Sequence, residues 1–121
     1  MTPPLVLLID DEPLLRDVIF ELIVEGGMRV RTADDGRDAV AAAVKHRPDV
    51  IVMDYSMPGL NGIDATRQLK ADKRTRKIPV VLFTAEPVAE QAREAGCNAI
   101  VRKPCRADLL LTVLREQLQR E

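Results

Sequence analysis

The sequence predicts an α/β fold, a doubly wound five-stranded parallel sheet with five helices on both faces. Three observations predict it. Short apolar runs each close on a polar residue, the pattern of strands buried on both faces. Between these runs, apolar residues recur at helical spacing. The connections are short, and parallel strands need right-handed crossovers, so each helix must return across the sheet.

Leu5 to Ile9 is the first strand, a continuous apolar run stopped by Asp10-Asp11-Glu12. From Pro13, the residues Leu14, Leu15, Val18, Ile19, Leu22 and Ile23 form an amphipathic helix, with Pro at its start and Gly26-Gly27 after its end. Met28 to Ala33 alternates apolar residues and arginines as a second strand, and Asp34-Asp35-Gly36 turns into an Ala-rich helix from Arg37 to His46. Pro48-Asp49 breaks that helix, and Val50 to Met53 is the third strand, with Asp54 at its C-terminal end. A loop, Tyr55 to Gly62, leads to a third helix over Ile63 to Ala71. Ile78 to Phe83 is the fourth strand, ending at Thr84, and a short helix around Val88 to Ala95 is closed by Gly96. Ala99 to Arg102, stopped by Lys103-Pro104, is the fifth strand, and Leu109 to Leu118 the last helix.

The composition narrows the function. With 121 residues, 46% hydrophobic and 31% charged, the chain has the material for one core, and a single domain over residues 1–121 is expected. Eighteen basic residues nearly cancel nineteen acidic ones, and two Phe and one Tyr without Trp give no base-stacking platform, so no nucleic-acid partner is expected. No apolar run reaches the roughly 18 residues of a spanning helix, and the N-terminus lacks a secretory pattern, so no membrane partner and a cytoplasmic location are expected. Cys97 and Cys105 bracket a strand and stand too far apart for a disulfide, so both are expected as free thiols. Together with the single His46 they make no soft-metal site.

In a parallel sheet all C-terminal strand ends lie along one edge, where α/β ligand sites form. Asp10 and Asp11 follow the first strand, Asp54 the third, Thr84 the fourth and Lys103 the fifth. Topology alone gathers them. Three carboxylates there repel, each pair by roughly 4 kcal/mol at about 4 Å and an effective dielectric near 20, so they call for a cation. Oxygen ligands without His or Cys suit Mg²⁺, and Lys103 and Thr84 supply the charge and hydroxyl expected around a transferring phosphoryl group.

This set resembles the receiver domains of two-component response regulators. The resemblance runs from Asp10-Asp11-Glu12 through Asp54, Met57-Pro58-Gly59 and Gly62 to Thr84-Ala85 and Lys103-Pro104. It implies a flavodoxin-like strand order, 2-1-3-4-5, and a domain that catalyses its own phosphorylation and dephosphorylation rather than turning over a separate substrate. By the resemblance Asp54 is the phosphoacceptor, taking a phosphoryl group from a phosphohistidine of a sensor histidine kinase or histidine phosphotransfer protein. Asp11, Asp54 and the Ser56 backbone carbonyl are then ligands of Mg²⁺, with Asp10 held through water. Thr84 donates to one phosphoryl oxygen, Lys103 pairs with another, and the Lys103–Pro104 peptide is cis. The chain ends just after the last helix, which implies a stand-alone receiver with output through contact with an unidentified downstream protein.

Two other functions use similar parts. A small phosphohydrolase of the haloacid dehalogenase type also has an Asp nucleophile and Mg²⁺, but needs a second Asp two residues on, where Ser56 stands. A receiver-like module that binds partners without phosphorylation usually lacks an acid or the Lys, and here all are present. The basic run Lys70 to Lys77 reads as a solvated loop with some attraction for an acidic partner, and His46 as a surface residue away from the site. Leu109, Leu110 and Leu111 exceed what one core-facing stripe needs, which suggests a contact patch on the last helix, including a weak homodimer. Ile100 stands where many receivers carry a switching aromatic, Cys105 where an aromatic often follows Lys-Pro, and Asn61 where an Asp is common. The stretch from Thr84 to Lys103 looks about one helical turn short for the family.

Overall fold

The computed structural model describes residues 2–104 and 106–119. Five parallel strands, β1 (Leu5–Ile9), β2 (Arg29–Ala33), β3 (Val50–Asp54), β4 (Val80–Thr84) and β5 (Ala99–Arg102), pair in the order β2-β1-β3-β4-β5. The helices are α1 (Pro13–Glu25), α2 (Ala39–His46), α3 (Gly62–Ala71), α4 (Ala89–Ala95) and α5 (Ala107–Leu118). The expected class, strand order and helix count are all present.

Boundaries differ from the expected ones where a local hydrogen bond competes with the periodicity. Met28 is buried, but its N–H donates to the Ile23 carbonyl, so it belongs to the turn and β2 starts at Arg29. The Asp35 carboxylate accepts from the Arg37 N–H and tightens the chain into a 3₁₀ turn over Gly36–Asp38, which delays α2 to Ala39. The β4 ladder begins at Val80 rather than Ile78, because Pro79 has no N–H to give and contributes only its carbonyl, to Ile51. The last helix starts two residues early, at Ala107. Cys97 is a buried free thiol, as expected; the expectation for Cys105 lies outside the described residues.

Strand alternation divides the core into two layers. Val6, Leu8, Val50, Val52, Val81, Phe83 and Val101 pack with Ile19 and Ile23 of α1 and with Leu110 and Leu114 of α5. Leu7, Ile9, Ile51, Met53, Val80 and Leu82 pack on the other face with α2, α3 and α4. β1, β3 and β4 are buried along their whole length, whereas β2 is an edge strand with Arg29 and Arg31 turned to solvent.

Gly62 fixes how α3 meets the sheet. Its N–H donates to the Tyr55 carbonyl at 2.9 Å, and a Cβ there would collide with the Asp54 carbonyl oxygen and come within 2.9 Å of a Leu82 methyl. The helix N-terminus can therefore lie against the end of β3 only with glycine at this position. Gly62→Ala is expected to cost roughly 1–3 kcal/mol through overpacking, read as a lower denaturant midpoint at unchanged m-value. A variant as stable as the parent would mean that this approach is not needed.

Candidate functional site

The alternation that sorts the core also builds the site. Val6 and Leu8 lead to Asp10, Val50 and Val52 to Asp54, and Ala99 and Val101 to Lys103, so the three polar residues continue rows on the α1/α5 face. Hydrogen bonds carry this register past the strand ends. The Asp10 N–H donates to the Ala33 carbonyl at 3.1 Å, and the Lys103 N–H to the Thr84 carbonyl at 2.9 Å. Thr84 continues Val80 and Leu82 on the opposite face, the face that Ile100 also shares through its pairing with Leu82.

One carboxylate oxygen from each of Asp10, Asp11 and Asp54 lies within 4.8 Å of the others. Asp10 and Asp54 are buried, at 1% and 4% exposed, while Asp11 is half-buried. Lys103 Nζ donates to Asp54 Oδ1 at 2.7 Å and lies 5.0 Å from the centroid of the Phe83 ring. The cation is thus held between a carboxylate and an aromatic face on the intervening strand. Asp10 Oδ1 accepts from the Glu12 N–H at 2.9 Å, but among the described residues the buried Asp10 Oδ2 has no donor. Burial pushes the Asp10 carboxyl up to about 6, with the charges of Asp54 and Asp11 adding to the rise and the Glu12 N–H and Lys103 opposing it.

A small divalent cation fits this donor set. Every ligand is a hard oxygen, the negative charge exceeds what Lys103 balances, and one buried carboxylate oxygen has no hydrogen-bond donor. The Thr84 hydroxyl oxygen accepts from the Glu86 N–H at 2.9 Å, which fixes the loop Ala85-Glu86-Pro87 to the strand end. The Lys103–Pro104 peptide is cis, as expected. His46 ends α2, just before the turn that enters β3, and so lies at the opposite edge of the sheet.

The model of the response regulator receiver domain family matches residues 6–115, nearly the whole chain. The chain belongs to this family. Receiver domains are signalling domains with an acidic Mg²⁺-binding pocket, and the cluster of Asp10, Asp11 and Asp54 fits a phosphoacceptor function. This receiver is 34% identical to protein PilH of Pseudomonas aeruginosa over 116 residues, covering 93% of the chain and 96% of PilH. It is 38% identical over 117 residues to the C4-dicarboxylate transport transcriptional regulatory protein DctD of the same organism, covering 94% of the chain but only 25% of DctD. The receiver domain of the sensor histidine kinase PA1611 of P. aeruginosa superposes with a TM-score of 0.90 at 31% identity, covering 98% of this chain and all of that one. That structure holds a magnesium ion in its active site cleft.

One part of the site surroundings was not anticipated. Leu14 and Val18 of α1 are 78% and 57% exposed, and Val18 borders an apolar cleft lined also by Leu15, Phe83, Ala85, Lys103 and Pro104. The signal was in the sequence, since α1 carries more apolar residues than one buried stripe uses. Of the three leucines suspected in the last helix, Leu110 is buried, Leu111 half-buried and only Leu109 largely exposed.

The raised Asp10 carboxyl predicts a pH dependence for the metal-free receiver. The folded state binds this proton more tightly than the unfolded chain does, so the contribution of Asp10 to stability falls as the pH rises from 3.8 to about 6 and is level above. The loss is on the order of 2–3 kcal/mol. Asp72, held down at about 2 by Arg74, acts in the opposite sense but below this window. Urea unfolding in chelator should therefore find Asp10→Asn more stable than the parent at pH 7 and the two alike near pH 4. An Asp10→Asn variant that is less stable at pH 7 would contradict the reading.

Proposed function

We propose that residues 1–121 act as one receiver domain whose Asp54 accepts a phosphoryl group from a phosphohistidine, with Mg²⁺ as cofactor. The observation that carries this reading is the Lys103–Asp54 ion pair at 2.7 Å inside a three-carboxylate cluster. Asp11 and Asp54 would hold the metal with the Ser56 backbone carbonyl, and Asp10 through water. When bound, Mg²⁺ supplies positive charge shared between the carboxylates and the phosphoryl oxygens.

The Asp54 carboxylate attacks phosphorus in line with the phosphohistidine nitrogen, so an O–P bond forms as the N–P bond breaks and the imidazole leaves. The incoming group brings its own oxygens, and the Lys103 ammonium, already 2.7 Å from Asp54 Oδ1, transfers its hydrogen bond to one of them. The Thr84 hydroxyl, accepting from Glu86 N–H, retains its own proton to donate to another. Attack by water on the acyl phosphate reverses the modification. With Ser56 two residues after Asp54, no second carboxylate stands where a phosphohydrolase of the dehalogenase type needs its acid.

The donor must reach this edge, and the cleft at Leu15, Val18 and Phe83, with Leu14 exposed on the same helix, offers the apolar contact for a sensor histidine kinase or histidine phosphotransfer protein. A weak homodimer through the last helix would use the exposed Leu109 of α5. Output runs through contact with a downstream protein, and movement of Thr84 toward the phosphoryl oxygens pulls on the loop Ala85-Glu86-Pro87. Ile100 is half-buried and aliphatic, so it has no ring to swing inward.

Incubation with acetyl phosphate and Mg²⁺ should add one phosphoryl group by intact mass, lost in Asp54→Asn and in chelator. Modification that persists in Asp54→Asn would overturn the assignment, and turnover of added phosphate esters would favour the phosphohydrolase. With beryllofluoride as phosphoryl mimic, hydrogen exchange should change in residues 85–95 and stay constant in Ala99–Arg102. A change confined to β5 would show that Ile100 is itself the switch.

A further inference from the structure

The end of the sheet opposite the carboxylates carries the opposite charge. Lys45 and Arg47 stand at the end of α2, and Lys73, Arg74, Arg76 and Lys77 fill the loop between α3 and β4. These two segments meet in space, since Arg47 and Arg74 line one groove of about 450 Å³ together with Ala43, Val44, Pro48 and Ile78. A second hollow of about 710 Å³ shares Pro48 and Ile78 and adds Lys77, Asn98 and Gln117, so the two run together along the N-terminal edge of the sheet.

Arg74 is committed to Asp72 by two contacts, at 3.0 and 2.8 Å. Among the described residues, Lys45, Arg47, Lys73, Arg76 and Lys77 have no carboxylate within 4.0 Å. Among the described residues the one carboxylate lining the grooves, Asp49, already accepts from the Leu5 N–H at 2.8 Å. The floor of the smaller groove, Ala43, Val44, Pro48 and Ile78, is apolar.

These features select among anionic partners. No aromatic residue lines either groove, which leaves nucleic-acid bases nothing to stack on. A lipid surface is flat, whereas the cations here rim a concavity with an apolar floor. An extended polypeptide brings both complements, carboxylates for the rim and alternate aliphatic side chains for the floor. We propose that this groove binds an acidic, extended segment of another protein, with an aliphatic side chain against Val44 and Ile78 and carboxylates against Arg47 and Lys77. It lies across the sheet from Asp54 and needs no phosphorylation.

A fluorescein-labelled peptide, Glu-Leu-Asp-Leu-Glu, titrated by anisotropy tests it on the intact chain. Binding should weaken at least tenfold in the double variant Arg47→Glu, Lys77→Glu, weaken measurably in Val44→Ser, and persist in Asp54→Asn. Amide shifts of the parent protein should concentrate at residues 43–49 and 74–79, a readout that stands if a variant fails to fold. Failure to bind, equal binding of the peptide with Lys in place of its acids, or shifts centred on residues 10–14 and 103–104 would overturn the proposal. So would tighter binding of an oligonucleotide of equal charge or of phosphatidylserine vesicles.

Discussion

Asp10, Asp11 and Asp54 are held within 4.8 Å of one another by backbone that cannot move them apart, because β1 and β3 are adjacent and buried on both faces. Left alone, this cluster opposes folding. Lys103 offsets part of it through Asp54, and the remainder shows as a carboxyl at Asp10 raised to about 6 by burial and its acidic neighbours. The same imbalance gives the site its affinity for whatever brings positive charge. Local instability and function are one property here, as is common where groups are arranged for chemistry rather than for stability.

The rest of the molecule keeps that cluster in place. Alternation puts Asp10, Asp54 and Lys103 at the ends of rows that face α1 and α5, with Phe83 between them under the ammonium. Gly62 lets α3 approach the end of β3, and the Thr84–Glu86 hydrogen bond ties the following loop to β4. A displaced phosphoryl-side hydrogen bond can therefore reach that loop through one residue. α4, only seven residues long and ending at the left-handed Gly96, follows that loop directly and is the shortest of the five α-helices.

Much of this was legible in the sequence, because the signals were both local and repeated. Apolar runs closing on Asp10, Asp54, Thr84 and Lys103 announce strands and site together, and a parallel sheet leaves those residues no other edge to occupy. The start of β4 and the delay of α2 were not legible from periodicity, since one depends on the N–H that Pro79 lacks and the other on the hydrogen bond from Arg37 N–H to the Asp35 carboxylate. Exposure was harder still. The sequence pointed to Leu109, Leu110 and Leu111 as a patch, but helix geometry turns Leu110 into the core and leaves Leu14 and Val18 of α1 as the larger exposed apolar surface. The meeting of Arg47 with the loop before β4 belongs to the same class, a consequence of how helices lie on the sheet rather than of any motif.

The central claim is that the carboxylate cluster is built around a divalent cation, and thermal unfolding against Mg²⁺ concentration at constant ionic strength tests it most directly. A cation bound only by the folded state raises Tm with the logarithm of its concentration. The account predicts that rise for the parent protein and its loss in Asp11→Asn, with Na⁺ ineffective. A Tm that is flat in Mg²⁺, or that rises equally in Asp11→Asn, would contradict it.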